Sequence, residues 1–156
     1  FLSERRIDKH IKDNQMIIAV DFDGTIVEHD YPRIGKEIPF AIETLKKIQR
    51  DNQHLLVLWT VREGKFLQEA VDYCHERGLD FYAVNKDYPE EQFDEGITRK
   101  IKADLFIDDR NLGGLPDWGI IYAMIMGKVR PTYGAEYEIL KPKNIFIRFG
   151  EWLQRS

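Results

Sequence analysis

Cysteine, long apolar runs and an excess of charge of one sign are all scarce in this sequence. Its 156 residues include one cysteine, Cys74, which excludes an intramolecular disulfide framework and a cysteine-rich zinc site and is typical of a reducing compartment. No apolar run approaches the roughly 18 residues of a membrane-spanning helix, and residues 1–15 are too polar for a secretory signal. The net charge of −4 argues against a global electrostatic attraction to nucleic acids or anionic membranes. These absences predict a soluble, cytoplasmic protein.

What is present suffices for one folded domain. Apolar residues make up 43% of the chain, which is enough at this length to build a real core. We expect a single domain over residues 1–156, with its core at about 16–128. Residues 1–15 would be an N-terminal extension, and residues 129–156 a tail packed on the core, either as one added strand or as a packed segment.

The apolar residues are patterned as alternating strands and helices. Four short apolar runs are typical of strands buried on both faces of a parallel sheet, namely residues 16–20, 55–59, 81–84 and 104–107. Three segments carry helical periodicity, namely residues 38–53, 64–78 and 117–127. Residues 86–99 are polar and predict a long loop. Strands that alternate with helices predict right-handed βαβ units and a three-layer α/β/α sandwich.

Polar residues follow the predicted strands, and at three of the four ends they suggest chemistry. The first strand runs into Asp21 and Asp23, the second into Thr60, and the fourth into Asp108 and Asp109. Ligands of an open parallel sheet bind at the carboxyl ends of its strands, so we expect these side chains to meet in one crevice.

The residues after Asp21 add to this expectation. Asp21 and Asp23 are two apart, so both side chains lie on the same side of an extended backbone. Gly24 permits a tight turn, and Thr25 offers a hydroxyl just past it. Both are candidates for substrate binding.

Four carboxylates in one crevice cannot all stay ionised unaided. Two unit charges about 4 Å apart repel by about 4 kcal/mol at an effective dielectric near 20. Either some protons remain bound or a hard cation lies among the carboxylates. An all-oxygen ligand set favours Mg²⁺ over zinc.

These segments resemble the four motifs of the haloacid dehalogenase (HAD) superfamily. The run IIAVDFDGTIV is similar to its first motif, LLVLWT to its second, and a lysine followed by DLFIDDRN to its third and fourth. The motifs occur in the superfamily's order across residues 16–111. The resemblance implies a Rossmann-like parallel sheet and a Mg²⁺-dependent phosphohydrolase.

The resemblance also implies roles for individual residues. Asp21 would be the nucleophile that forms an aspartyl-phosphate, and Asp23 the general acid and then base. Thr60 would bind a phosphoryl oxygen. Asp108 would coordinate Mg²⁺ together with Asp21 and the backbone carbonyl of Asp23, and Asp109 would support that site.

Three basic residues are further candidates. Lys100 and Lys102 both precede the fourth strand, and the spacing in similar capless members favours Lys100 as the catalytic lysine. Lys102 would then bind substrate or remain a solvated charge. Arg62 follows Thr60 closely and would either reach a substrate phosphate or carboxylate or lie on the surface.

The spacing of the motifs leaves no room for the cap domain that usually confers specificity on this superfamily. Neither the segment between Asp21 and Thr60 nor that between Thr60 and Lys100 holds a separate domain of roughly 50 residues. We therefore expect an open site, a phosphorylated substrate of unknown class and no membrane partner. A nucleic acid would bind only as a phosphorylated end. Alternatively, a second subunit or the 86–99 loop would close the site over a small substrate.

Other functions stay open. The chain would alternatively be a catalytically weak or silent scaffold, or a phosphotransferase to an acceptor other than water. A phosphorylated signalling module is a further alternative, although such receiver domains place their acidic pair before the phosphorylated aspartate.

Overall fold

The computed structural model describes residues 15–92, 101–131 and 137–139, and its elements follow the apolar pattern of the sequence. The strands of the main sheet are β1 (Ile17–Val20), β2 (Leu55–Leu58), β3 (Ala83–Val84) and β4 (Leu105–Ile107). The helices are α1 (Ala41–Asn52), α2 (Gly64–His75) and α3 (Trp118–Ile125). Two further strands are β5 (Val129–Pro131) and β6 (Tyr137–Ile139).

The main sheet is parallel throughout, with strand order β3-β2-β1-β4. β1 lies between β2 and β4, and all four of its residues are buried, which explains its uninterrupted apolar sequence. The prediction of an α/β fold with a Rossmann-like parallel sheet is thereby confirmed.

The strand order changes direction at β1. The chain passes from β1 through α1 to β2 and through α2 to β3, always toward the same edge of the sheet, and β4 then pairs with the other side of β1. Because parallel crossovers are right-handed, connections that run in opposite directions leave a crevice where they diverge. That crevice lies at the carboxyl ends of β1 and β4.

The helices are shorter than their periodicity predicts. Helix α1 was expected over residues 38–53, but Ile38 donates its N–H to the carbonyl of Ile26, and Phe40 has a left-handed φ of 68°. Gln53 ends the helix with a φ of 56°. The apolar face of α1 is buried as predicted, and Cys74 of α2 is buried too.

The connection from Asp21 to Thr60 is described throughout and contains no additional domain. It consists of a turn after β1, a short bridge between Val27 and Glu37, then α1 and β2. The described part of the next connection, residues 61–92, holds α2 and β3. In the described ranges, no helix is both long and apolar enough to cross a membrane.

The chain divides into two compact units, with the boundary between Trp118 and Gly119. The first unit contains the main sheet. In the second, β5 and β6 pair antiparallel, so the tail begins with a two-stranded hairpin. The boundary lies within α3, earlier than the expected start of the tail, and the single-domain organisation stays a prediction. Residues 1–14, the second half of the 86–99 loop (93–99) and, in the tail, residues 132–136 and 140–156 lie outside the described residues.

Candidate functional site

Three carboxylates meet at the point where the strand order changes direction. Asp21 follows β1, and Asp108 and Asp109 follow β4; one oxygen of each lies within 4.8 Å of the others. The two strand ends are held together because the N–H of Asp21 donates to the carbonyl of Ile107 at 3.0 Å. The sequence predicted this convergence, and parallel pairing of β1 with β4 produces it.

Asp109 is held in the cluster from two sides. Its Oδ2 lies 2.8 Å from Nε2 of His29, and its backbone N–H donates to the hydroxyl of Thr25 at 3.1 Å. Its Oδ1 is buried and has no hydrogen-bond partner among the described residues. A buried carboxylate oxygen without a partner is costly, and a bound cation is one way to satisfy it.

Thr25 differs from its expected role. Its side chain is fully buried and accepts the N–H of Asp109, so it positions the acidic cluster and does not present its hydroxyl to a substrate. Gly24 has a φ of 88° and forms the expected tight turn, in which its N–H donates to the carbonyl of Val27.

The acidic cluster changes the chemistry of Asp21. Burial, followed by the charges of Asp108, Asp109 and Asp23, raises its pKa to about 6, against an opposing hydrogen bond from the N–H of Phe22. A carboxyl group in this environment gains most from a neighbouring positive charge. The donor set contains only carboxylate oxygens, so Asp21, Asp108 and Asp109 could hold a hard divalent cation.

Asp23 lies outside this cluster, and its carboxylate is paired with Arg62. Nε of Arg62 donates to Oδ2 at 2.7 Å and Nη2 donates to Oδ1 at 2.7 Å. The guanidinium of Arg62 is completely buried. Both expectations for Arg62 are therefore corrected: it neither lies on the surface nor reaches outward to a substrate. The predicted contribution of the Asp23 backbone carbonyl to a metal site stays a prediction.

A pocket of about 160 Å³ opens beside the cluster. Its walls combine carboxylates, a hydroxyl, apolar side chains and one arginine, contributed by Asp21, Asp23, Trp59, Thr60, Val61, Asp108 and Arg110. Asp23 thus faces the pocket while both its oxygens accept from Arg62, which is possible because two carboxylate oxygens offer about four acceptor positions.

Two residues of this region were not assigned a site role from the sequence. Arg110 is exposed and has no ion-pair partner in the described part of the chain, and its N–H donates to Oδ1 of Asp108 at 2.8 Å. Asn85 follows β3, and its Oδ1 accepts the N–H of Thr60 at 2.8 Å. The available signal was a polar residue at a strand end: Asn85 directly follows β3, and Arg110 lies three residues past β4. Which residue each of them contacts depends on the strand order, and a single sequence does not reveal that order.

The two candidate lysines are not part of the pocket as described. Lys100 lies outside the described residues. Lys102 has an exposed side chain, lines no part of the pocket, and donates its backbone N–H to Oδ1 of Asp87 at 2.7 Å. The expectation that Lys102 binds substrate is therefore corrected to its alternative, a solvated charge.

No protein-family model matches the chain, and no curated protein matches it. A solved structure does, that of a conserved protein coded by a locus of Bacteroides thetaiotaomicron, with 66% sequence identity and a TM-score of 0.69. The match covers 78% of this chain and 97% of the other. At this identity and coverage, the chain belongs to the same family as that conserved Bacteroides thetaiotaomicron protein.

Proposed function

We propose that the chain is a Mg²⁺-dependent phosphomonoester hydrolase that acts through an aspartyl-phosphate on Asp21. The observation that carries the proposal is the meeting of Asp21 with Asp108 and Asp109 at the switch point of the sheet. Asp23 and Thr60 line the same pocket. A nucleophile, an acid-base group and a cation site within one pocket are what phosphoryl transfer requires.

Mg²⁺ fits the residues that surround the buried oxygen of Asp109. Asp21, Asp108 and Asp109 would hold it, and it would supply positive charge where the transferred phosphoryl group accumulates negative charge. Asp21 would then act in its ionised form, since a neighbouring cation offsets the burial and like-charge repulsion that raise its pKa.

The chain's own residues account for both chemical steps. Asp23 enters the first step carrying a proton, and its oxygens still accept from Arg62 through their remaining lone pairs. A carboxylate oxygen of Asp21 attacks phosphorus, the ester P–O bond breaks, and the leaving oxygen takes the proton from Asp23. Asp23, now ionised, removes a proton from water as the water oxygen attacks phosphorus. The bond between phosphorus and Asp21 breaks, which returns Asp21 as a carboxylate and releases inorganic phosphate.

The pocket suits a phosphoryl group with most of the substrate outside it. Thr60 and Arg110 line the walls as possible donors to phosphoryl oxygens, and 77% of Val61 is exposed at the rim. An open rim does not restrict the leaving group by size, so the substrate is a phosphate ester whose class the pocket leaves open. A second subunit that closes the site over a small substrate is compatible with this rim.

The test is hydrolysis of para-nitrophenyl phosphate by the full chain, with Mg²⁺ and after chelation. We expect turnover that needs Mg²⁺ and falls by at least about a thousandfold in Asp21→Asn, because the nucleophile is lost. The matched control is Asp72→Asn, an exposed aspartate of α2 whose Oδ1 accepts a hydrogen bond from Gln68 on the same helix. Its activity should equal that of the unchanged chain.

Each alternative function predicts a different result. Full activity of Asp21→Asn contradicts the nucleophile assignment. A phosphoaspartate that forms on Asp21 but persists favours a signalling module, and release of phosphate only to an added alcohol favours a phosphotransferase. Absence of turnover and of phosphorylation across nucleotides, sugar phosphates, phosphopeptides and phosphorylated oligonucleotides favours a silent scaffold.

A further inference from the structure

Arg62 is wholly buried, and most of its side-chain N–H groups donate hydrogen bonds to other groups of the protein. Two N–H groups form the bidentate pair with the carboxylate of Asp23. Nη1 donates to the carbonyl of Pro32 at 3.1 Å, and Nη2 also donates to the carbonyl of Arg33 at 2.7 Å. The side chain of Arg62 therefore links the turn that carries Asp23 to the loop at residues 32–33 through hydrogen bonds.

Aromatic rings enclose the same guanidinium. Its central carbon lies 5.1 Å from the ring centre of Phe22 and 5.3 Å from that of Tyr31. Both distances are within the range of cation–π attraction. The rings and the carbonyls leave Arg62 little freedom to turn toward a ligand in the pocket, so any effect it has on a reaction passes through Asp23.

The bidentate contact between Arg62 and Asp23 fixes the orientation of the carboxylate as well as supplying a positive charge beside it. Two parallel N–H···O bonds define the plane and the direction of a carboxylate, whereas a lysine ammonium defines only a distance. The backbone N–H of Arg62 also donates to Oγ1 of Thr60 at 3.3 Å, which links the same residue to the other polar wall of the pocket. Proton transfer is sensitive to the direction from which the carboxylate approaches.

We infer that Arg62 is a positioning residue that holds the carboxylate of Asp23 in the direction needed to pass a proton to and from the pocket. This inference rests on the proposed function. It excludes direct contact between Arg62 and the substrate, and it makes the loop at residues 32–33 a support for the acid-base group.

The test compares two aryl phosphates whose leaving groups differ in basicity. The more basic leaving group depends more on proton donation by the enzyme. The phenolate released from phenyl phosphate is a stronger base than the one released from para-nitrophenyl phosphate. In Arg62→Lys the cation remains but the bidentate contact is lost, so we expect kcat for phenyl phosphate to fall at least about tenfold more than kcat for para-nitrophenyl phosphate. Asp23→Asn should show the same asymmetry.

Two controls separate this effect from general damage. The thermal stabilisation of Arg62→Lys by Mg²⁺ should match that of the unchanged chain, because Asp21, Asp108 and Asp109 are untouched. Arg50→Lys alters an exposed arginine that pairs with Asp51, and should leave both rates unchanged. Circular dichroism checks that each variant folds. Arg62→Gln, which keeps an N–H donor, is a second variant at the same position.

Each outcome of these measurements either supports or overturns the inference. An equal loss on both substrates, no loss on either, or loss of the fold in both Arg62 variants overturns the positioning role. If the unchanged chain hydrolyses neither substrate, the proposed function fails and the inference fails with it. An asymmetric loss with normal stabilisation by Mg²⁺ supports it.

Discussion

Asp109 packs directly against Gly24, and the missing side chain of the glycine is what allows this contact. A Cβ on Gly24 would lie 2.6 Å from Cγ of Asp109 and would also collide with the ring of His29. The φ of Gly24, 88°, is one that residues with a Cβ rarely adopt. The glycine after Asp23 therefore serves both the turn and the approach of the acidic pair.

Replacement of Gly24 by alanine should damage the fold and the cation site together. The left-handed backbone costs an alanine about 1 kcal/mol, and the collision with Asp109 adds about 1–3 kcal/mol. We expect the free energy of unfolding to fall by about 2–4 kcal/mol. We also expect the thermal stabilisation by Mg²⁺ to shrink, measured as the change in Tm with and without the cation.

Gly114 provides the matched control for this prediction. Its φ is 80°, and among the described residues no atom beyond its two chain neighbours lies within 4 Å of where its Cβ would stand. Gly114→Ala should therefore cost only the backbone term, about 1 kcal/mol, and leave the response to Mg²⁺ intact. Equal effects of the two substitutions would contradict the idea that Gly24 makes room for Asp109.

The raised pKa of Asp21 predicts how cation binding depends on pH. Burial and the neighbouring carboxylates raise this pKa from 3.8 to about 6. The folded protein thus holds the proton more tightly than the unfolded chain, so the contribution of Asp21 to stability is full below pH 3.8 and is lost as the pH rises to about 6. A cation competes with that proton. Stabilisation by Mg²⁺ should therefore be small at about pH 5 and larger at about pH 8.

Asp21→Asn tests the same electrostatics without catalysis. The amide removes one of three neighbouring negative charges, so at about pH 8 the metal-free variant should be more stable than the unchanged chain. One pKa unit is worth about 1.4 kcal/mol, and because Asp21 is only partly buried we expect a gain of about 1 kcal/mol. The variant should no longer respond to Mg²⁺. A metal-free variant less stable than the unchanged chain at that pH would contradict like-charge repulsion at the site.

Arg110 should matter for binding more than for chemistry. It is an exposed cation on the pocket wall whose backbone, not its side chain, contacts Asp108. In Arg110→Ala we expect KM for para-nitrophenyl phosphate to rise about three- to tenfold with little change in kcat, as for the loss of one exposed ion pair worth about 1 kcal/mol. Arg50→Ala should change neither. A fall in kcat with constant KM would instead place Arg110 in the transition state.

Much of the fold follows from the sequence because the sheet is buried on both faces. Both β1 and β2 are apolar without interruption. Asp21 directly follows β1, and Thr60 lies two residues past the end of β2. Helix ends were less predictable. Ile38 fits the apolar face of α1, but its N–H bonds to Ile26, a tertiary contact that periodicity does not contain.

The site was predictable to the extent that strand ends determine it. Asp21, Asp108 and Asp109 meet because β1 pairs with β4, as expected from their places after apolar runs. The roles of Thr25 and Arg62 were not predictable, since each depends on a partner distant in sequence. Arg62 in particular is buried among Asp23, two loop carbonyls and two aromatic rings, whereas an isolated arginine after a strand is ordinarily exposed.

Asn85 should hold Thr60 in place at the end of β2. Its Oδ1 accepts the N–H of Thr60, and its own φ of 51° is one that glycine also adopts. Asn85→Gly therefore removes the acceptor without adding backbone strain. We expect the Thr60 amide hydrogen to exchange about fivefold faster with solvent, because a hydrogen bond worth about 1 kcal/mol is lost. We also expect kcat to fall, since Thr60 lines the pocket.

Asn85→Asp is the control that keeps the acceptor oxygen. Aspartate tolerates the left-handed backbone nearly as well as asparagine, so the Thr60 amide should exchange as slowly as in the unchanged chain. Asn85→Ala adds the backbone cost and should be less stable than Asn85→Gly by about 1 kcal/mol. If the Thr60 amide is equally protected in all variants, its hydrogen bond does not depend on Asn85.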